Sequence, residues 1–97
     1  MKQDAKTNAQ IRLKRIAGQV AGVHRMVDED RPYAEILLQL AAAQAALMET
    51  ARTILWSSAE DALSRAMDDP DPQRRRRQLD ELLDLLTRFF DVREGER

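Results

Sequence analysis

The sequence predicts an all-α protein: a three-helix protomer with a long central helix. Three observations carry this. Composition is 34% charged and 43% hydrophobic with only 3 Gly and 3 Pro, the profile of a helical chain and not of a sandwich or a disordered segment. Apolar residues recur at steps of 3 and 4 along the first and last thirds of the chain, the period of an amphipathic helix. Helix-breaking clusters occur at 28–32 and 68–72, which leaves three uninterrupted segments. At 97 residues the chain is expected to form one domain, 1–97.

Helix 1 is expected over about 8–27. Residues 1–6 are polar, and Thr7-Asn8-Ala9-Gln10 reads as a capping box whose hydroxyl and amide satisfy free backbone donors. Ala9, Leu13, Ile16, Val20, Val23 and Val27 fall on one stripe at 100° per residue. Arg12 and Arg15 border that stripe; Lys14 and Arg25 lie on the opposite face. Gly18 and Gly22, one turn apart, form a shallow groove beside Arg15. Each costs roughly 1 kcal/mol against alanine in a helix, so the pair points to a close approach by another backbone. A surface helix with solvated arginines is the competing reading.

Helix 2 is expected over about 32–67, with Pro32 at its first position, where a missing N–H costs nothing. At 1.5 Å per residue it is on the order of 50 Å long, against a diameter of roughly 33 Å for a compact globule of this size. Its apolar residues form two stripes: Leu37, Leu40, Leu47, Ala51 and Ile54, and Leu38, Ala41, Ala45 and Met48. One chain cannot cover such a helix. It is therefore expected to be the spine of an oligomer, most simply two antiparallel copies in a four-helix bundle with helix 1.

Helix 3 is expected over about 72–90, with Asp71 as N-cap and Pro72 as first residue. Leu79, Leu82, Leu83, Leu86, Phe89 and Phe90 form its expected buried stripe. The arginine run 74–77 sits at the helix's positive end, partly offset by Asp68, Asp69 and Asp71. It reads as a solvated face or as a phosphate contact. Residues 93–97 look like a frayed tail.

The formal net charge of −1 conceals a division. Residues 1–27 carry Lys2, Lys6, Arg12, Lys14, Arg15 and Arg25 against Asp4 alone, a net of +5, and the remainder carries −6. That polarity points to an anionic partner for helix 1. The absence of cysteine excludes disulfides, zinc–thiolate sites and thiol redox chemistry. The run 36–48 is too short to span a bilayer, and no signal-peptide pattern opens the chain. A cytoplasmic protein without membrane association is the expectation.

Enzyme chemistry finds little support. There is a single His, no Gly-rich phosphate loop, and Ser57, Ser58 and Ser64 have no nearby base in sequence. His24 reads as an exposed helix residue. Met26, Met48 and Met67 are soft-metal ligands in principle, but at helical spacing they read as core. No cofactor is expected.

The run Arg12-Leu13-Lys14-Arg15-Ile16-Ala17-Gly18-Gln19-Val20-Ala21-Gly22-Val23-His24-Arg25-Met26-Val27 resembles the first helix of the CsoR/RcnR/FrmR family. These are small all-helical bacterial repressors that respond to copper, nickel, formaldehyde or sulfur species. The likeness continues through 36–47, similar to that family's D-x-L-x-Q-I-x-A-x-x-A-A-L segment, and covers about 12–67. The resemblance implies a dimer of antiparallel dimers, with tetramer favoured over dimer, that lays a flat face on GC-rich operator DNA without a helix-turn-helix. Arg12, Lys14, Arg15, Gln19, Arg25 and Arg52 are the DNA-binding residues it implies. Phosphate contacts from such a surface supply affinity and steep salt dependence, and shape readout adds to base contacts.

The sensing half of the family pattern is missing. Its copper ligands, a Cys at the start of helix 2 and a His and Cys four apart further along, fall on Tyr33, Ser58 and Ala62. The nucleophile of the formaldehyde-responsive members falls on Tyr33 as well. Glu81 looks like the family's outer glutamate, with no ligands inside it to support. A basic helix 2 position of some relatives is Glu49 here, although Arg52 lies one turn on.

The expectation is a DNA-binding transcriptional repressor, not an enzyme, whose partners are double-stranded DNA and copies of itself. No metal site is expected. Two alternatives stand beside it. One is a repressor sensing a non-metal small molecule, gripped near Tyr33. The other is a helical oligomerisation or adaptor protein that has lost DNA binding and mixes with a metal-sensing paralogue.

Overall fold

Three α-helices, and no strand among the described residues, make up the computed structural model of this chain, which describes residues 1–95. They are α1 (Gln3–Asp28), α2 (Tyr33–Asp68) and α3 (Pro72–Gly95). The chain divides into two compact units. Lys2–Ile54 forms one; Met1 and the residues from Leu55 onward form the other. No helix of the described residues is long and apolar enough to cross a membrane.

α1 starts at Gln3, five residues before the expected start at 8, and the Thr7–Gln10 capping box does not form. Nothing in 3–8 breaks a helix, Asp4 suits the positive end of the dipole, and Lys2 serves as N-cap in extended conformation without a side-chain cap bond. Thr7 instead lies within the helix and accepts a 3.2 Å bond from Gln3 Nε2. The other end closes without glycine. Asp30 adopts φ 54°, its N–H bonds Val27 O at 3.1 Å, and the Arg31 N–H bonds Met26 O at 3.0 Å. This pair of bonds is the Schellman arrangement, with aspartate tolerating the left-handed position.

The apolar stripe of α1 is only half used within its unit. Ala9, Ile16 and Val23 are buried, but Leu13, Val20 and Val27 are 44%, 51% and 56% exposed. Arg12, Gln19 and Met26 are half-buried instead. The buried face is thus turned toward the arginine edge of the expected stripe, because that edge meets the single available neighbour.

α2 begins at Tyr33, with the Pro32 carbonyl accepting from the Glu35 and Ile36 N–H groups at 3.0 and 3.2 Å. The helix therefore starts one residue later than expected, with Pro32 just before it. Neither expected apolar stripe is the buried line. Ala43, Thr50 and Ser57, seven residues apart, are buried with Ala62 and Ala66, while Leu37, Leu38, Leu40 and Leu47 are exposed. Small residues at a heptad step let a neighbouring helix approach closely. Thr50 keeps its hydroxyl satisfied by donating to Ala46 O at 2.9 Å.

The α2–α3 connection is held by aspartates. Asp69 accepts from the Asp71 N–H at 2.9 Å, and Asp71 caps α3 by accepting from the Gln73 N–H at 3.0 Å. Arg74 closes on Asp69 through Nε and a terminal nitrogen, at 3.1 Å each. That guanidinium, followed by the Asp71 N–H, holds the Asp69 carboxyl below the usual carboxylate range. Along α3, Leu79, Leu82, Leu86 and Phe89 are half-buried. Leu83 and Phe90, at 60% and 49%, are exposed, so the buried face is narrower than the expected stripe. The helix runs to Gly95, past the expected end at 90 and into the expected frayed tail; residues 96–97 of that tail lie outside the described residues.

Candidate nucleic-acid interface

Helix α1 carries five side-chain cations, Lys6, Arg12, Lys14, Arg15 and Arg25. Among the described residues none of the five has an acidic partner within ion-pair distance. Elsewhere the cations are mostly compensated. Arg31 pairs with Glu35 at 2.8 Å, Arg74 with Asp69 at 3.1 Å, Arg76 with Asp80 at 3.6 Å and Arg88 with Asp84 at 3.0 Å; among the described residues Arg65, Arg75 and Arg77 are the exceptions. Composition accounts for part of the contrast: α2 and α3 carry acids throughout, whereas α1 has only Asp4 and Asp28, one at each end, and Arg25, three residues before Asp28, is unpaired all the same.

Arg12, Arg15 and Gln19 come together. With Ile16, Ala46 and Thr50 they line a groove of about 180 Å³ inside the Lys2–Ile54 unit. Arg12 is half-buried and fixed by its Nε, which donates to Asn8 Oδ1 at 2.8 Å. Arg15 is exposed and free to reach outward. Gln19 is half-buried, and its Oε1 is buried with no hydrogen-bond partner. Asn8 and Thr50 escaped the sequence reading. Asn8 stands one turn before Arg12, a legible signal; Thr50 is a polar residue on the buried line, which an apolar search passes over.

Lys14 and Arg25 do not line this groove. Both are exposed, and at 100° per residue they project from the face of α1 away from its buried edge. Between them and Arg15 stand the two glycines. A Cβ at Gly18 would meet nothing within 4 Å, and one at Gly22 only an Arg25 terminal nitrogen at 3.8 Å. Packing within the unit does not require either glycine. Arg52 stands apart from the groove and pairs with Glu49 at 3.4 Å, so its charge is partly compensated on its own helix.

The positions that would carry sensing ligands are chemically poor. Tyr33 is 86% exposed, Ser58 is half-buried, and Ala62 is 4% exposed with no donor atom. Among the described residues no group of three or more His, Cys, Asp or Glu could hold a metal ion. His24 is exposed on α1, and Glu81 is exposed on α3.

Comparison with known proteins places this geometry among repressors. A family model described as metal-sensitive transcriptional repressor matches residues 5–88. The chain is 38% identical over 78 residues to the copper-sensing transcriptional repressor CsoR of Bacillus subtilis (strain 168), covering 80% of this chain and 74% of that one. Among solved structures it is similar to the copper-sensing repressor CsoR with Cu(I) from Geobacillus thermodenitrificans NG80-2. That match has a TM-score of 0.76 and 34% identity, over 92% of this chain and 90% of the other. It is also similar to the nickel-responsive transcriptional regulator InrS, with a TM-score of 0.71 and 36% identity over 87% and 94%.

Proposed function

We propose, from the premise that this chain belongs to the metal-sensitive transcriptional repressor family, that it represses transcription by binding double-stranded operator DNA through α1 and does so without a metal signal. One observation carries the reading. Among the described residues the cations of α1 have no acidic partner, and an uncompensated basic helix face is the electrostatic footprint of a polyanion site. Arg12, Arg15 and Gln19 form its built part, Lys14 and Arg25 extend it, and Arg52 contributes less because Glu49 already holds it.

The exposed apolar line Leu13, Val20 and Val27 on α1, with Leu37, Leu40 and Leu47 on α2, favours assembly with further copies. Antiparallel pairing into a four-helix bundle covers such faces, and a dimer of these dimers repeats the four cations Arg12, Lys14, Arg15 and Arg25 across a broad surface. The protein acts in the cytoplasm, where its DNA lies.

Selecting bound fragments from the host genome with the purified protein tests the function. Enrichment of one GC-rich inverted repeat is expected. Enrichment of nothing, alongside a folded oligomer, favours instead the adaptor reading, to which the Arg52–Glu49 pair and the acidic balance of 28–97 already lend support.

A further inference from the structure

The unit that begins at Leu55 carries an apolar groove that DNA binding does not use. Leu63, Ala66 and Met67 share one face of α2, and Pro72, Arg75 and Leu79 share one face of α3, by the three- and four-residue spacing of a helix surface. The two faces frame an open groove of about 430 Å³ whose lining is mostly apolar. Ala66 is buried in it at 5% exposed, while Leu63 and Met67 are left 50% and 83% exposed. Apolar surface gathered in a concavity and left to water marks a binding site, which singly exposed leucines do not.

Charge and size select the occupant. Among the described residues the charged members of the lining are both cations, Arg75 and Arg76. Arg76 already pairs with Asp80 at 3.6 Å, whereas Arg75 has no acidic partner. An arginine in such a wall lays its methylene stem along the apolar surface and keeps its guanidinium at the mouth, where the planar fork matches a carboxylate. The volume lies within the range of about 300–1,000 Å³ for small-molecule pockets; a stable protein interface engages about 20–30 residues a side, far more than frame this groove. We infer that the groove binds a medium-chain alkyl carboxylate, with its chain over Ala66 between Leu63, Met67 and Leu79 and its head group on Arg75. This site is independent of the proposed DNA surface.

Isothermal titration of the intact protein with hexanoate, octanoate and decanoate below their micellar concentrations, and with the decylammonium ion, tests it. Binding of one carboxylate per chain is expected, with affinity rising about fourfold for each added methylene, the transfer preference of that group. Decanoate should bind at least about tenfold more tightly than decylammonium, the scale of one hydrogen bond to a charged group, and Arg75→Gln, a change at an exposed position, should erase that preference. In protein labelled with carbon-13 at the methionine methyls, decanoate should shift the Met67 resonance and leave that of Met26, on α1, in place. No binding at millimolar concentration, equal affinity for the carboxylate and the ammonium, a preference that survives Arg75→Gln, or binding that leaves the Met67 methyl unmoved overturns the site. A second copy of the chain is the rival occupant: a lower sedimentation mass of ligand-free Met67→Asp than of the parent would show that a copy covers the groove, and that too overturns the site.

Discussion

Arg12, proposed to contact a DNA phosphate, is held in place before any partner binds. Its Nε is fixed by Asn8 at 2.8 Å, so little rotamer freedom remains to be lost on binding. Asn8→Ala should therefore weaken operator binding by a few-fold without altering oligomeric mass, read by fluorescence anisotropy and ultracentrifugation. Tyr33, Ser58 and Ala62 lead to a second expectation. Copper(I) prefers thiolates, tyrosine and serine offer only hydroxyl oxygens, and alanine offers nothing. Stoichiometric Cu(I) should leave operator affinity unchanged within about twofold, and a tenfold loss would reveal a metal site built from other residues. Asp69 supplies a pH prediction. Its carboxyl is held below the ordinary value by Arg74, so its contribution to stability is present above the unfolded value of about 3.9 and is lost as pH falls through the lower folded value. Asp69→Asn keeps the acceptor for the Asp71 N–H but removes the charge. The variant should be less stable than the parent at neutral pH, and the two thermal midpoints should converge in strong acid. At this scale the sequence was legible wherever a residue acts by its own charge, as in the basic face of α1. It was not where a residue acts through a neighbour, as Asn8 does on Arg12, or where a small polar side chain such as Thr50 occupies a buried position.

Among the elements, α3 and the α2–α3 connection follow from local rules: the Asp71 cap and Pro72 lie where the sequence puts them. α1 departs at its start, because the Thr7 signal competes with an unbroken run of helix-compatible residues before it, and continuation of the helix prevails. Its buried face is turned because periodicity defines a stripe wide enough for more than one neighbour, and a protomer supplies only one. α2 departs for a related reason. Its buried line is Ala43, Thr50 and Ser57, whose small size and not their hydropathy suits them to helix approach; the two apolar stripes, expected to be too much for one chain to cover, do not predict that line. Gly18 belongs to this scale. With nothing within 4 Å of its Cβ position, Gly18→Ala should raise the thermal midpoint of the DNA-free protein, by the equivalent of up to about 1 kcal/mol. A lowered midpoint would mean that another copy of the chain packs against that backbone.

For the whole molecule, the fold class and the family were both readable from the chain, while the extent of uncovered apolar surface emerged only from the structure. Fully burying side chains such as Leu13, Val20, Val27, Leu37, Leu40 and Leu47 is worth roughly 1.5–3 kcal/mol each, a sum comparable to the entire stability of a small domain. An oligomer is therefore expected at micromolar concentration, and Val20→Asp should dissociate it or unfold it; a monodisperse, folded 11.1 kDa monomer of the parent protein would remove the proposed assembly. The central claim is that uncompensated cations on α1 bind DNA without a metal. Operator affinity measured by fluorescence anisotropy across a salt series, for the parent protein and for Arg15→Ala in metal-free buffer, tests it most directly. Tight binding at low salt is expected, with a steep fall as salt rises and a slope of log affinity against log salt reduced by about 1 for each phosphate contact the variant loses. Equal affinity and equal slope for parent and variant would contradict it.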